Sequence, residues 1–239
     1  MKITIGHLFY DLLNLYGENG NVMALEKALV SQGIEVEVRN LSLDTEQWDL
    51  KELDIIYIGA GTEHNQLLAL NTLVKYKEEI NQMIMNNKFF IATGNSIELF
   101  GKSIKCENKT IETLNLFDYI TERTKKRIVS ECVFNYDEIN DKILGFENHQ
   151  GKIVGITEPL FTVKQGFSSD LSSKSEGFRK NNFYGTYLIG PLLVRNPILL
   201  EKICKNLVLE KDANFEFKPF NLDIEHKAHD KFISKYTTD

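Results

Sequence analysis

The stretch Phe89-Phe-Ile-Ala-Thr-Gly-Asn-Ser-Ile-Glu-Leu-Phe-Gly101 decides the fold of this chain. It begins with an apolar run typical of a buried strand, continues into a tight turn of small residues and then starts a helix. A strand that ends in such a turn has the shape of a nucleophile elbow, whose turn residue presents its side chain at the edge of the sheet. In this chain that residue is Gly94, which has no side chain to present.

A second strand with the same character is Tyr184-Gly-Thr-Tyr-Leu-Ile-Gly-Pro-Leu-Leu-Val-Arg-Asn-Pro197, which also runs into a turn and a helix. The carboxyl ends of parallel strands meet at one edge of a sheet, where α/β proteins place their sites. We therefore expect Ile189 to lie beside Gly94.

The remaining sequence alternates between strand and helix patterns, which predicts an α/β fold with a mainly parallel sheet and helices on both faces. The second half is richer in strands, and we expect one domain over residues 1–239. Predicted strands are Lys2–Leu8, Ile34–Arg39, Asp54–Ile58, Phe89–Ala92, Arg127–Phe134, Ile143–Glu147, Lys152–Gly155, Phe161–Lys164 and Phe183–Leu188. Predicted helices are Val22–Gln32, about Asn65–Asn86, and Asn196–Leu209, and Gly166–Gly177 is predicted as a flexible loop.

Composition fits an ordinary globular domain, with 239 residues, 42% hydrophobic content and a net charge of −6. The densest basic cluster, Arg123-Thr-Lys-Lys-Arg127, is short, so neither nucleic acid nor an anionic membrane surface is expected as a partner. No apolar run reaches the length of about 18 residues that a membrane helix needs. The start Met1-Lys-Ile-Thr-Ile-Gly-His7 is typical of a strand rather than a signal peptide, and we expect a cytoplasmic protein.

The three cysteines have no close spacing, which favours reduced thiols over a disulfide framework or a zinc site. Cys132 and Cys204 lie in apolar segments and are predicted to be buried, whereas Cys106 lies in a polar stretch and is the thiol most open to solvent. The cluster Glu147-Asn-His149 is predicted to stabilise a turn, because one imidazole without a second ligand at suitable spacing does not make a metal site. The sequence therefore predicts neither a metal nor a cofactor.

Four ordered blocks resemble the class I glutamine amidotransferases of the CobB/CobQ type, and most closely the GatD type of amidotransferase subunit found in lipid II isoglutaminyl synthases. They are His7–Asn21, Gly145-Phe-Glu-Asn-His-Gln-Gly151, Gly190-Pro-Leu-Leu-x-x-Asn-Pro197 and Ile224-Glu-His-Lys-Ala-His-Asp230. The family's elbow is similar to Cys-Gly-Gly-Tyr-Gln-Leu-Leu-Gly and its second motif to Tyr-Leu-His-Gly-Pro. By this resemblance Gly94 stands at the nucleophile position and Ile189 at the base position.

The chain has no cysteine before Cys106 and no histidine between His149 and His226, so a small shift of alignment does not restore the pair. Attack on a carboxamide needs a thiolate and an adjacent base. The resemblance further implies that Arg127 binds a substrate carboxylate and that Gly59, Gly61 and Asn95 supply backbone N–H groups to an oxyanion hole. For Arg127, a purely structural role at a strand end is an equal alternative.

Three functional hypotheses follow. The first is a non-catalytic subunit that holds a Mur-ligase-like, ATP-dependent synthetase in an active conformation, with free ammonia as the nitrogen source. The second is a hydrolase or transferase that uses Thr93, Ser96 or Glu98, although no histidine or lysine is evidently placed to activate these hydroxyls. The third is a sensor that binds glutamine or another amino acid without turning it over.

Overall fold

A six-stranded sheet forms the centre of the protein in the computed structural model, which describes residues 1–166 and 174–236. Its strands are β1 (Lys2–Leu8), β2 (Glu35–Leu41), β3 (Ile55–Ile58), β4 (Phe89–Thr93), β11 (Phe178–Lys180) and β12 (Phe183–Thr186), in the spatial order β11-β12-β4-β3-β1-β2. All neighbours pair in parallel except β11, which is antiparallel to β12 at the edge. The predicted mainly parallel sheet is confirmed.

Helices cover both faces of this sheet. They are α1 (Asn19–Ser31), α2 (Glu63–Leu73), α3 (Lys77–Met85), α4 (Leu192–Arg195), α5 (Pro197–Leu209) and α6 (Asp223–Tyr236). Alternate strand residues point to opposite faces, so Ile55 and Tyr57 pack in a core with α1 and α5, while Ile56 and Ile58 pack in a second core with α2 and α3. This two-faced burial explains why the strands have continuous apolar runs.

The strand-rich second half forms a second, mainly antiparallel sheet. Its strands are β5 (Ser103–Lys105), β6 (Thr110–Glu112), β7 (Ile120–Asn135), β8 (Lys142–Val154), β9 (Phe161–Gln165) and β10 (Ser175–Glu176). The long strands β7 and β8 pair along most of their lengths. The backbone N–H of Ile189 donates to the carbonyl of Phe146 on β8 at 2.9 Å, and this bridge joins β8 to the chain beyond β12.

Several predicted boundaries are wrong. The predicted helix over Asn65–Asn86 is two helices separated by a 3₁₀ turn at Val74–Tyr76, where Tyr76 stacks on Trp48 and accepts a hydrogen bond from the Trp48 backbone at 3.1 Å. The two predicted strands at Ile143–Glu147 and Lys152–Gly155 form the single strand β8. In the predicted loop Gly166–Gly177, residues 167–173 lie outside the described residues, and Ser175–Glu176 is a short strand.

The predicted turn role of Glu147, Asn148 and His149 is also wrong, because all three lie within β8 and not in a turn. A turn signal from polar residues was outweighed by pairing with β7, which provides partners for the backbone on both sides of this cluster. Glu147 and His149 lie on the buried face of the strand, whereas Asn148 is half-buried.

Candidate functional site

Gly94 and Ile189 lie together in one cavity at the carboxyl edge of the first sheet. The cavity has a volume of about 240 Å³ and is lined by both residues. β12 pairs with β4 so that Thr186 lies opposite Thr93, and each chain then leaves its strand on the same side. This register places the two turns side by side, as predicted from the sequence. It also brings positions 94 and 189 into contact.

The backbone at Gly94 keeps the conformation of an elbow. Its φ is +60°, in the left-handed region that L side chains rarely adopt, and a short 3₁₀ helix over Gly94–Leu99 begins there. A Cβ placed on Gly94 would overlap the Cβ of Ala60 and would lie 2.9 Å from Cγ2 of Ile189. Real Cβ contacts are essentially never closer than 3.0 Å. Two methyl-bearing side chains therefore fill the space in which a nucleophile would stand.

Ala60 is held there by the turn Gly59-Ala-Gly61 after β3. A side chain at Gly59 would collide with the carbonyl oxygen of Leu13, and one at Gly61 with the Leu13 side chain at 2.5 Å, so the turn needs glycine on both sides. Ala60 itself is 2% exposed. Close packing against the loop after β1 thus fixes this turn, and the Ala60 methyl group lies against Gly94.

The side-chain amide of Asn95 pairs with the peptide groups of Gly61. The Gly61 N–H donates to Oδ1 of Asn95 at 3.2 Å, and Nδ2 of Asn95 donates to the Gly61 carbonyl at 2.9 Å. The structure thus brings the expected oxyanion-hole residues together, but the N–H of Gly61 is already engaged by a side chain. A bound oxyanion would have to displace Asn95 before it received a hydrogen bond from Gly61.

A buried carboxylate beneath the elbow was missed by sequence reasoning. Oε2 of Glu18 accepts hydrogen bonds from the hydroxyls of Tyr57 and Thr93, both at 2.5 Å, and Oε1 accepts from the N–H of Gly190 at 3.4 Å. Glu18 is fully buried, and burial raises the pKa of its carboxyl. Because Thr93 directly precedes Gly94 and Gly190 directly follows Ile189, Glu18 links the two strand ends through hydrogen bonds.

The outer part of the cavity carries opposite charges. Arg127 donates from Nη2 to Oε1 of Glu63 at 3.1 Å and from Nη1 to Oδ1 of Asn148 at 2.8 Å. Its guanidinium reaches this place because the pairing of β7 with β8 shifts between Arg123 and Ile128, so the intervening residues form a bulge. The sequence placed Arg127 at the start of a strand, and that position was wrong because β7 begins at Ile120.

Deeper in the cavity, Arg123 is largely buried and paired. It donates to Oε2 of Glu98 at 3.0 Å and also contacts the Gln66 side chain, while the hydroxyl of Tyr187 donates to Oε1 of Glu98 at 3.0 Å. Glu98 therefore anchors Arg123 and is not free to act on a ligand as a base.

His149 also lines the cavity. Its ring lies flat against Tyr187, with centroids 3.7 Å apart and planes at 2°, and Nδ1 donates to the carbonyl of Gly151 at 2.8 Å. Its Nε2 lies 3.8 Å from Oε1 of Glu147, and neither atom has a hydrogen-bond partner among the described residues. The imidazole is thus oriented by β8 and Tyr187 toward a buried carboxylate.

The hydroxyls considered for a reused pocket are already engaged. Thr93 donates to Glu18, and Ser96 donates to the carbonyl of Gly59; both residues are fully buried.

Cys132 and Cys204 are buried as predicted, and Cys106 is half-buried. Over residues 1–166 and 174–236, no group of three or more metal-ligating side chains is suitably placed for a metal ion, and no helix combines the length and apolar character needed to cross a bilayer.

The fold and the elbow define a glutamine amidotransferase-like α/β domain. The sequence profile described as the CobB/CobQ-like glutamine amidotransferase domain matches residues 4–197, and the chain belongs to this family. The resemblance inferred from the four sequence blocks is thereby confirmed.

Two similar curated relatives are GatD subunits of glutamine-hydrolysing lipid II isoglutaminyl synthase. The protein from Staphylococcus aureus is 31% identical, over 98% of this chain and 96% of its own length. The protein from Streptococcus pneumoniae is 27% identical, over 98% of this chain and 88% of its own length.

Solved structures agree on the fold. PurLQS from Thermotoga maritima matches 88% of this chain and 99% of its own with a TM-score of 0.56 at 15% identity. A glutamine amidotransferase from the same organism matches 97% of this chain and 94% of its own with a TM-score of 0.51 at 11% identity. At these identities the likeness establishes the fold alone.

Proposed function

We propose that this chain is a non-catalytic, GatD-like subunit of an ATP-dependent amidating enzyme. The observation that carries the proposal is the filled elbow, where Ala60 and Ile189 occupy the space beside Gly94. Because neither Gly94 nor Ile189 carries a thiol or an imidazole, the chain lacks the coupled pair on which glutamine hydrolysis depends, and loss of such a unit lowers turnover by about a million-fold in hydrolases.

The partner that we propose is a Mur-ligase-like synthetase that amidates the D-glutamate of lipid II with free ammonia. Support comes from the two GatD relatives, whose names describe them as subunits of a synthase and which match nearly the whole chain. A retained fold that has lost its chemistry can still stabilise a partner by binding its active conformation. We place this assembly in the cytoplasm, because three cysteines without close spacing favour reduced thiols over a disulfide framework.

The experiment is reconstitution with the synthetase that co-purifies from the native host. We expect amidation with ammonium and none with glutamine as the sole nitrogen source, and we expect the synthetase alone to be less active than the complex. Glutamine turnover in the ordinary enzyme range of about one per second or more by the isolated chain would overturn the non-catalytic assignment. Failure to find any associated synthetase would remove the partner from the proposal.

A reused catalytic pocket is less well supported. Thr93 and Ser96 are buried with their hydroxyls donated to Glu18 and to Gly59, and Glu98 is paired with Arg123 and Tyr187. Each group would need to break an existing buried hydrogen bond before it could attack a ligand, and an unsatisfied buried partner costs about 1–3 kcal/mol.

A further inference from the structure

Strand β2 lies at one edge of the first sheet and pairs on one side only. It ends the strand order, and in the part of the chain that the structure describes no strand pairs with its outer side. The Glu35 N–H donates to the carbonyl of Met1 at 3.2 Å. Successive residues of a strand direct their backbone groups to opposite sides, so the odd-numbered residues of β2 face β1. The N–H and C=O groups of Val36, Val38 and Asn40 therefore face the open edge.

The charges on β2 are complementary to those of a second copy of the same strand. Open edges are normally protected by charged side chains, because like charges keep two edges apart. On β2 the charges have both signs, and Glu37 and Arg39 are two residues apart and so lie on the same face of the strand. Their side chains are 34% and 33% exposed, and Nε of Arg39 donates to Oε1 of Glu37 at 2.7 Å. The guanidinium has further N–H groups with which it can also bind a second carboxylate.

A two-fold axis at Val38 satisfies the backbone and the charges together. Two antiparallel strands centred there place Val38 opposite its own copy and Val36 opposite Asn40, and these residues form the hydrogen-bonded pairs because their backbone groups face outward. The same register places Glu37 of each copy opposite Arg39 of the other. These are the non-hydrogen-bonded positions, where side chains are closest and Cα atoms are about 4.5 Å apart. A shift of the axis by one residue would place Glu37 or Arg39 opposite its own kind.

Helix α1 adds apolar surface beside this edge. Met23 and Val30 are both 53% exposed, and their spacing of seven residues places them on one side of the helix. α1 packs on β2 and belongs to the same core as Val36 and Val38. Pairing of β2 with a second β2 keeps this face on one side of the joined sheet, so the two α1 helices approach one another. Interfaces between proteins have an apolar centre, and α1 supplies apolar side chains for it.

We propose that β2 is a self-association surface through which two copies of this chain form a symmetric dimer with one continuous sheet. The complementary charges of Glu37 and Arg39 select a second copy as the occupant of this edge. β1 and β3 lie between β2 and β4, a separation of about 14 Å at the usual strand spacing. The cavity beside Gly94 therefore stays open in the dimer. The proposal depends neither on the loss of catalysis nor on the synthetase.

Sedimentation velocity of the full chain at concentrations from about 1 to 100 µM tests the proposal. We expect a reversible equilibrium between monomer and dimer. Glu37→Arg and Arg39→Glu each place like charges opposite one another and should weaken the dimer at least about tenfold. An equimolar mixture of these two variants should dimerise again, because opposite charges then face one another. The chain that carries both substitutions should dimerise as the wild type does.

Two further variants make the test specific to the strand edge. Lys164→Glu, at an exposed position on β9, changes the net charge as Arg39→Glu does and should leave the dimer unchanged. Val38→Pro removes an N–H that faces outward and none that faces β1, so it should abolish the dimer while the monomer still unfolds cooperatively in urea.

A monomer at every concentration, or equal weakening by Arg39→Glu and Lys164→Glu, would overturn the proposal. Oligomers larger than a dimer would contradict the two-fold register. If the wild-type chain is monomeric and Val38→Pro blocks its binding to a co-purifying synthetase, the edge belongs to that partner and self-association is wrong.

Discussion

Ala60 occupies the space that any side chain at position 94 would need, so the two positions exclude one another. The turn that carries Ala60 is fixed from behind by Leu13, and the elbow that carries Gly94 is fixed by the strand pairing of β4. Neither backbone can retreat without disturbing buried packing. Position 94, which we propose as the nucleophile position of the family, therefore has no side chain of its own and is also closed by a neighbour.

Gly94→Ala should destabilise the protein more than Gly33→Ala. Both glycines have positive φ, but a Cβ at Gly33 meets nothing within 4 Å. The left-handed conformation alone costs a residue with a side chain about 1–2 kcal/mol, which is our expectation for Gly33→Ala. Overlap with Ala60 should add about 1–3 kcal/mol at position 94, in the range of overpacked cores.

Urea unfolding of the wild type, Gly33→Ala, Gly94→Ala, and Gly94→Ala combined with Ala60→Gly measures this difference in the free energy of unfolding. The second substitution should recover most of the added loss, because it removes the overlapping methyl group. Equal losses of unfolding free energy for Gly33→Ala and Gly94→Ala, or no recovery when Ala60→Gly is added, would show that Ala60 does not cause the additional loss.

Restoring a thiol and an imidazole to this edge of the sheet requires three substitutions. Gly94→Cys with Ile189→His introduces the two groups, and Ala60→Gly makes the room. In the triple variant the imidazole should lower the pKa of the introduced thiol, so alkylation by iodoacetamide should become faster below pH 8 than in Gly94→Cys with Ala60→Gly. A crystal structure of the triple variant with sulfur and imidazole nitrogen more than about 6 Å apart, far outside hydrogen-bond range, would contradict the assignment of the two positions.

Glu18 and Tyr57 should be energetically coupled. The carboxylate accepts from the Tyr57 hydroxyl at 2.5 Å and both groups are fully buried. Tyr57→Phe removes one donor. Glu18→Ala removes the acceptor of both hydroxyls, but the Tyr57 and Thr93 hydroxyls lie 2.6 Å apart and one can donate to the other, so one donor is left unsatisfied at a cost of about 1–3 kcal/mol. A double-mutant cycle from denaturant unfolding should give a coupling of about 1 kcal/mol or more. Additive losses would mean that the buried hydrogen bond contributes nothing specific.

The strand and turn pattern predicted the arrangement of Gly94 and Ile189 because parallel strands with continuous apolar runs must place their carboxyl ends at one edge. It did not predict Ala60 as the obstacle, since the overlap depends on a close approach of the turns after β3 and β4. Arg127 was named from a family resemblance. Its position over the cavity depends on a register shift between β7 and β8 that lies within the polar run Arg123–Arg127, where the sequence has no alternation from which to predict it.

Glu18 and Glu63 illustrate what local patterns leave out. Both follow glycine-containing turns, which is where binding groups concentrate in α/β proteins, and this was the available sequence signal. Yet Glu18 is a fully buried hydrogen-bond acceptor, whereas Glu63 is an exposed partner of Arg127. Partners 39 and 64 residues away decide the difference.

Glu176 should make the protein less stable as the pH rises from about 5 to 8. Burial, followed by the nearby charge of Glu147, raises the pKa of the Glu176 carboxyl from its ordinary value of 4.5 to about 8. In this window the folded protein keeps a proton that the unfolded chain has lost, so stability falls with increasing pH, by up to about 1.4 kcal/mol per pH unit. The contribution is fully present below pH 4.5 and is lost as the pH passes 8.

Glu176→Gln mimics the protonated side chain and should remove this dependence of stability on pH. In the wild type this side chain accepts from the Tyr187 N–H and contacts the Thr186 hydroxyl, both at 2.8 Å. Glu46→Gln, at an exposed position, makes the same change in charge and should retain the dependence. Thermal or urea unfolding of the three proteins at closely spaced pH values measures the slopes, and parallel curves for wild type and Glu176→Gln would show that this carboxyl is not protonated in the folded protein.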